Sequence, residues 1–263
     1  MIYVVLIFLI YFGFRMNLST GIIVTVLSLG FAVYKNLPAF YALLGARAYN
    51  SGNDEKTLHY YEKSIDTGRA DAKIYTTYVL ILMRTGKLKK ALAVCNAAIA
   101  SKRIAAAQKY MLKCYRCLIY YKTGEGAEGL ADAKKIFENY KNTTVYGLLG
   151  YLMLALDEPR EKTLGFCLEA YDYNSDDRDI TDNLVLAYYK NGELDKAESL
   201  AAELVEMSPA FVEAYYHSAL IAKALGKTDK AKELLGNIDN CLRTALTTVS
   251  EEEIENLKKE LEG

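Results

Sequence analysis

Hydrophobic positions follow two regimes along this chain. From residue 1 to 34, "MIYVVLIFLIYFGFRMNLSTGIIVTVLSLGFAVY", apolar residues run almost unbroken and Arg15 is the only charge. Beyond about residue 38 they recur three and four apart, the spacing of helices with one buried face. A single helix over the first stretch would be about 51 Å long at 1.5 Å per residue, well beyond a hydrocarbon core of about 30 Å. The polar cluster Arg15, Asn17, Ser19, Thr20 and Gly21 predicts a break. Two short spans, about 2–14 and 20–34, joined as a hairpin, are the preferred reading. One span over 17–34, with the first segment lying in the interface, is the alternative. A cleaved signal peptide fits less well, because no Lys or Arg precedes the apolar run.

The periodic blocks are punctuated by glycines at a near-constant interval. Gly52 and Gly86 are 34 residues apart, as are Gly192 and Gly226; Gly124 lies 68 before Gly192, and 38 after Gly86. Each follows one helical run and precedes another, as in "LAYYKNGELDKAESLAAELV". Glycine ends a helix readily because it adopts positive φ without strain. Near the end, Ser250 and Glu253 have the spacing of a capping box that opens a last helix. With only three prolines, the chain is expected to be almost wholly helical.

Particular residues sharpen this pattern. Tyr41, Leu44, Gly45, Gly52 and Tyr61 mark a first unit, and Tyr75, Gly86, Ala91 and Ala98 a second. Leu184, Tyr188, Gly192, Ala197 and Pro209 mark a fifth, and Tyr215, Ala219, Gly226 and Ala231 a sixth. On these residues the sequence resembles the tetratricopeptide repeat family. The resemblance implies an all-α fold, a right-handed α-solenoid of helix–turn–helix repeats. The expected organisation is a transmembrane hairpin or anchor over 1–36, about six repeats over 37–245, and a capping helix over 246–263. The third unit, about 106–142, and the fourth, about 143–177, lack a turn glycine followed five residues later by alanine, so their registers stay open.

The resemblance also implies a concave face, lined by the first helix of each unit, that holds a protein or peptide. Residues matching its inward positions are Tyr49, Met83, Tyr151, Tyr189 and Tyr216, with Lys73 and Lys223 at the margins. Ala42, Ala46, Thr76 and Leu80 stand where some such repeats grip a C-terminal carboxylate with Lys and Asn. An aromatic groove of this kind predicts an amphipathic or extended partner segment with apolar side chains. Packing between units is the competing role for these tyrosines.

Charge adds a second candidate surface. Between Ala72 and Thr123 there are eleven basic residues and no acidic one, whereas from Gly124 onward 28 acidic residues face 15 basic ones. Arg84, Lys87, Lys89, Lys90, Lys102, Arg103, Lys109, Lys113, Arg116 and Lys122 form the candidate basic patch. It offers an alternative function, binding of nucleic acid or anionic lipid, and the opposite charge of the two segments allows self-association. Tyrosines at helical spacing favour packing over base stacking, so nucleic acid is the weaker partner class.

Enzyme chemistry finds little support. Gly124, Gly126 and Gly129 spell G-x-G-x-x-G, but they fall on the repeat phase, and Glu125 and Glu128 would face a phosphate with carboxylates. Cys114 and Cys117 form a C-x-x-C inside a helical run, without a second such pair, and His59 and His217 are the only histidines. No catalytic, metal or cofactor-binding residue is assigned, and an enzyme of unrecognised type is the remaining alternative. Residues 1–34 are expected to meet the bilayer. Lys35 and Arg47 against Arg15 alone in the connection, together with five cysteines in no framework, favour a cytoplasmic repeat domain.

Overall fold

The computed structural model describes residues 2–262, which are helical without a strand. The chain divides into two compact units, one ending at Tyr78 and one beginning at Val79.

The first unit opens with α1 (Ile2–Met16) and α2 (Leu18–Asn50). Asn17 separates them: its backbone is extended and its side chain accepts from the Thr20 N–H at 2.8 Å, an N-cap that starts a new helix. The two helices run back along one another. Gly13 lies against Gly21, and the Tyr3 hydroxyl donates to the Asn36 side chain at 3.0 Å. α2, with 33 residues, is about 50 Å long, so it continues well past residue 36 as the first helix of a hairpin with α3 (Asp54–Asp66). There Gly45 makes room for Tyr61, whose ring a Cβ at 45 would meet at 2.7 Å. The Tyr61 ring stacks on Tyr78 at 5.9 Å.

Helix α4 (Ala72–Arg84) leads into the second unit, where it is followed by α5 (Leu88–Ala100), α6 (Tyr110–Lys122), α7 (Gly126–Asn139) and α8 (Thr143–Ala155). Next come α9 (Arg160–Tyr173), α10 (Arg178–Lys190), α11 (Leu194–Glu206), α12 (Val212–Ala224), α13 (Thr228–Asn237) and α14 (Glu251–Glu262). These helices pair by the same turn. At Gly86, Gly124, Gly192 and Gly226 the backbone is left-handed, and the next N–H reaches back five residues, as from Lys87 to the Leu82 carbonyl at 2.8 Å. The fourth pair makes that turn with Asp157 at φ 49, and Glu158 N–H bonds the Met153 carbonyl at 3.0 Å.

The irregular third and fourth units fall into register once a small residue of the second helix is followed instead of the turn glycine. Thr57, Ala91, Gly129, Thr163, Ala197 and Ala231 are all buried and are spaced 34 apart, with one interval of 38. The additional four residues lie in the long α5–α6 connection, 101–109, which contains a 3-10 turn at Ala106–Gln108. Gly129 replaces alanine because a Cβ there would sit 2.6 Å from the Cys117 carbonyl oxygen. In the fourth unit Pro159 adds a residue between the turn and the second helix, so Thr163 keeps the period while the turn at Asp157 falls one residue early.

The last helix closes the far end of this unit. Ser250 N–H bonds the Glu253 carboxylate at 2.7 Å and Glu253 N–H bonds the Ser250 hydroxyl at 3.2 Å, a complete capping box. Ile254, Leu257 and Leu261 then bury against Leu234, Leu235 and Ile238, each worth about 1.5–3 kcal/mol.

Candidate functional site

The second unit holds a cavity of about 530 Å³. Its walls come from the first helix of successive pairs. The end of α4 supplies Arg84; α6 supplies Tyr115, Leu118 and Lys122; α8 supplies Thr144 and Tyr151; α10 supplies Asp179 and Asp182; α12 supplies Glu213. The remaining wall is Leu242–Thr248, from the connection between α13 and α14.

That connection is tied to the helices by polar contacts. Leu242 N–H donates to the Ala210 carbonyl at 3.0 Å, and Ala245 N–H to the Arg84 carbonyl at 3.1 Å. Lys122 Nζ donates to the Thr247 carbonyl at 3.0 Å. Thr248 donates its N–H and its hydroxyl to Glu213 Oε1, at 2.6 and 2.9 Å.

Charge of both signs lines the cavity. Lys122 and Arg84 are its cations, and burial lowers the Lys122 ammonium below its ordinary value, with Glu213 acting against that shift. Four carboxylates, Asp177, Asp179, Asp182 and Glu213, also line the cavity. Asp177 caps α10 by accepting from Ile180 N–H at 3.0 Å. Asp182 pairs with His217 Nδ1 at 3.0 Å, both side chains nearly buried. Burial works against a charged His217, but the Asp182 carboxylate outweighs it and raises the imidazole above its ordinary 6.5. Asp179 is enclosed by the walls on most sides while its side chain stays open to solvent. Desolvation there, then Asp177, Asp182 and Glu213, raise it to about 6.

Of the seven residues expected in the groove, Tyr151 lines this cavity. Its hydroxyl is enclosed, its ring meets Tyr121 edge-on at 5.5 Å, and burial raises its pKa. Tyr49 and Lys73 belong to the first unit and are exposed at the end of α2 and the start of α4. Met83 is fully buried, and Tyr189 packs against the core cluster around Leu184 and Leu204. Tyr216 packs beside the cluster that α14 closes, and Lys223 pairs with Glu260 of α14. The reason is register: Met83 and Tyr189 share one position of the repeat, turned toward the core and away from the cavity, and α14 packs where Tyr216 and Lys223 stand.

The basic residues divide three ways. Arg84 and Lys122 line the cavity. Arg116 bonds Asp132 at 2.8 Å, Lys109 bonds the Ser101 carbonyl at 2.7 Å, and Lys113 is half-buried. Lys87, Lys89 and Lys90 around the start of α5, with Lys102 and Arg103 in the following connection, are exposed. The C-x-x-C cysteines are helix core: burial pushes the Cys114 and Cys117 thiols up to about 12. Among the described residues no three His, Cys, Asp or Glu side chains converge as a metal site. Sequence reading missed the acidic wall, the Asp182–His217 pair and the 241–250 connection. One signal was available for the pair, since residues one repeat apart on first helices are neighbours.

A tetratricopeptide repeat family model matches residues 212–236, the sixth hairpin. Comparison by sequence with curated proteins gives no match. Among solved structures, a tetratricopeptide repeat protein from Parabacteroides merdae superposes with a TM-score of 0.69 at 16% identity, covering 99% of each chain. Pseudomonas aeruginosa pilF superposes with a TM-score of 0.60 at 14% identity, over 86% of this chain and 99% of its own. A thermophilic protein of the same repeat type from Thermus thermophilus gives 0.57 at 16% identity, over 73% of this chain and 97% of its own. At these identities the likeness is one of fold.

Proposed function

We propose, from the premise that this chain is a tetratricopeptide-repeat protein with an α-solenoid fold, that it is a membrane-anchored scaffold. It holds a segment of a protein partner against the first helices of its repeats and carries out no chemistry of its own. One observation carries the binding role: the cavity wall is made of first helices, and its polar groups already hold a stretch of peptide backbone through Arg84, Lys122, Ala210 and Glu213. Repeats of this kind present successive first helices as one extended surface, which suits an elongated ligand. The groove assigned here is therefore the wall around Tyr151, with basic and acidic side chains, instead of a tyrosine face.

The anchor is supported by where apolar surface lies. Among the described residues all but four of the exposed large hydrophobic side chains fall between Ile2 and Leu43. α2 is long and apolar enough to cross a bilayer, and a continuous exposed apolar surface of this kind marks contact with lipid or protein. With both ends of a hairpin on one side, Lys35 and Arg47 favour a cytoplasmic repeat unit.

The test is cross-linking and affinity capture of the intact chain from its native membrane, comparing wild type with Lys122→Glu and Tyr151→Ala. Loss of captured protein per folded molecule is expected in both variants, with Tyr151→Ala also lowering the melting temperature because its ring packs on Tyr121; equal capture per folded molecule sinks the groove. Alkaline extraction that releases the full chain from membranes would sink the anchor. Cys241 is half-buried and serves as the reporter of sidedness, since an impermeant thiol reagent labelling it on intact cells reverses the orientation.

A further inference from the structure

The connection between α13 and α14 does more than link two helices. We propose that residues 241–250, "CLRTALTTVS", are a tethered occupant of the groove, exchanged for a partner segment of the same chemistry: a short, threonine-rich turn, uncharged where it touches the wall. The proposal rests on the groove reading above and specifies what fills it.

Three features support an occupant that leaves. First, no side chain from Cys241 to Ser250 is buried, and Leu242 is 61% exposed. On either side Ile238 and Ile254 are anchored in the core that α14 closes. Cys241 and Val249 at its ends pack against that core, and the stretch between them is held by hydrogen bonds across the groove, the condition for local opening without unfolding of the helices. Second, its shape is its own. Thr247 N–H bonds the Thr244 carbonyl at 3.0 Å, and the Thr244 and Thr247 hydroxyls accept from Leu246 N–H and Thr244 N–H, both at 3.1 Å. Third, Arg243, the one charged residue in the strap, pairs with Glu251 instead of the groove.

The groups left behind explain why something must replace it. Lys122 is already disfavoured as a cation by burial, and the Thr247 carbonyl is its acceptor. Glu213 takes two hydrogen bonds from Thr248. An emptied groove would leave a half-buried ammonium and carboxylate with those bonds unmade, which is costly, whereas a segment offering a carbonyl and an N–H with a hydroxyl restores them. Because the strap is tethered, it competes at an effective concentration of the order of millimolar, so weak partners are excluded.

The structure supplies a lock for the test. A Cβ built at Gly86 lies 3.6 Å from the Ala245 Cβ, within the disulfide range of about 3.5–4.5 Å. The full chain in detergent would carry Gly86→Cys and Ala245→Cys, with Cys241→Ser to prevent mispairing. Its oxidised and reduced forms are then compared, so the strain of a non-glycine residue at the left-handed position 86 is common to both. The probe is a fluorescein-labelled peptide of sequence LRTALTTV, followed by anisotropy. A second variant, Thr248→Pro, removes both donors to Glu213 without a lock. The reduced form is expected to bind the peptide at least tenfold more tightly than the oxidised form, and Thr248→Pro at least tenfold more tightly than wild type. Hydrogen exchange should show the Ala245 and Thr248 amides opening while those of α10 and α12 stay protected. Equal binding by the oxidised and reduced forms overturns the strap and leaves the groove reading standing. Absence of binding in every folded form also overturns it, and the Lys122→Glu capture experiment then decides separately whether the groove stands.

Discussion

Helices α1 and α8 are built from nearly the same chemistry and end up in opposite places. α1, "IYVVLIFLIYFGFRM", buries only Gly13 of its 15 residues, whereas α8, "TTVYGLLGYLMLA", buries eight of its 13. The difference lies in the neighbours. α8 sits in a stack, with Leu149, Leu152 and Met153 in one cluster with Leu130, Ile136 and Cys117. α1 has only α2 beside it among the described residues, with Gly13 set against Gly21. Hydrophobicity therefore states a need for an apolar environment without saying whether protein or lipid meets it. In α8 a Thr–Thr start, two glycines and a repeat period identify the provider as protein; in α1 no period is present.

The largest expected effect tests this contrast directly. Leu152→Ala should destabilise the repeat unit by about 3 kcal/mol, because it empties a fully buried site that its helical neighbours cannot refill. Phe8→Ala in α1 removes a larger side chain, yet its ring is mostly exposed and the melting temperature of the repeat unit should not move. The readout is thermal unfolding of the full chain in detergent. A similar loss from both substitutions would show that α1 is folded against the protein, and the comparison would break.

The same contrast explains what could be read from the sequence. The all-α stack was legible because the turn glycines repeat and because a helix needs a small residue wherever another helix crosses it. The third and fourth units were obscured by local substitutions that serve the same purpose: Gly129 for alanine under the Cys117 carbonyl, Asp157 for glycine at the turn, and Pro159 inserted after it. The site was much less legible. All five groove residues were matched to the family's inward positions; Tyr151 lines the cavity, whereas Met83 is buried in the core and Tyr189 packs against it. The strap left no trace in periodicity, since Thr247 meets Lys122 across 125 positions of sequence.

A glycine pair gives a smaller and sharper comparison. Gly129→Ala in α7 would drive a Cβ to 2.6 Å from a backbone oxygen, which no rotamer change relieves, and a loss of about 2 kcal/mol is expected, within the range for overpacking. Gly30→Ala in α2 meets nothing within 4 Å and should cost nothing measurable. If Gly30→Ala lowered stability as much as Gly129→Ala, α2 would have to pack against a surface at that point, and a lipid-facing assignment of residue 30 would fail.

The smallest effect is a pH dependence confined to the repeat unit. Asp179 is raised from 3.8 to about 6 by desolvation and by Asp177, Asp182 and Glu213, so between those values the folded chain holds a proton that the unfolded chain has released. Stability must therefore fall as pH rises through that window. His217 acts in the same direction at higher pH. Its folded value lies above 6.5, so the contribution of its charged pair with Asp182 is complete below 6.5 and is lost as pH rises through the folded value. The melting temperature should thus decline as pH rises from about 4 through 6, and again as it rises through the folded His217 value above 6.5. Asp179→Asn should remove the lower step and raise the melting temperature at pH 7, because an amide avoids the repulsion of three carboxylates. His217→Gln should remove the upper step and leave the lower one. The α1–α2 hairpin, residues 2–50, contains no Asp, Glu or His side chain. Membrane retention should accordingly be constant from pH 5 to 8 while the repeat unit softens, and a pH-dependent release of the chain from the membrane would show that the groove carboxylates, not the apolar hairpin, hold it there.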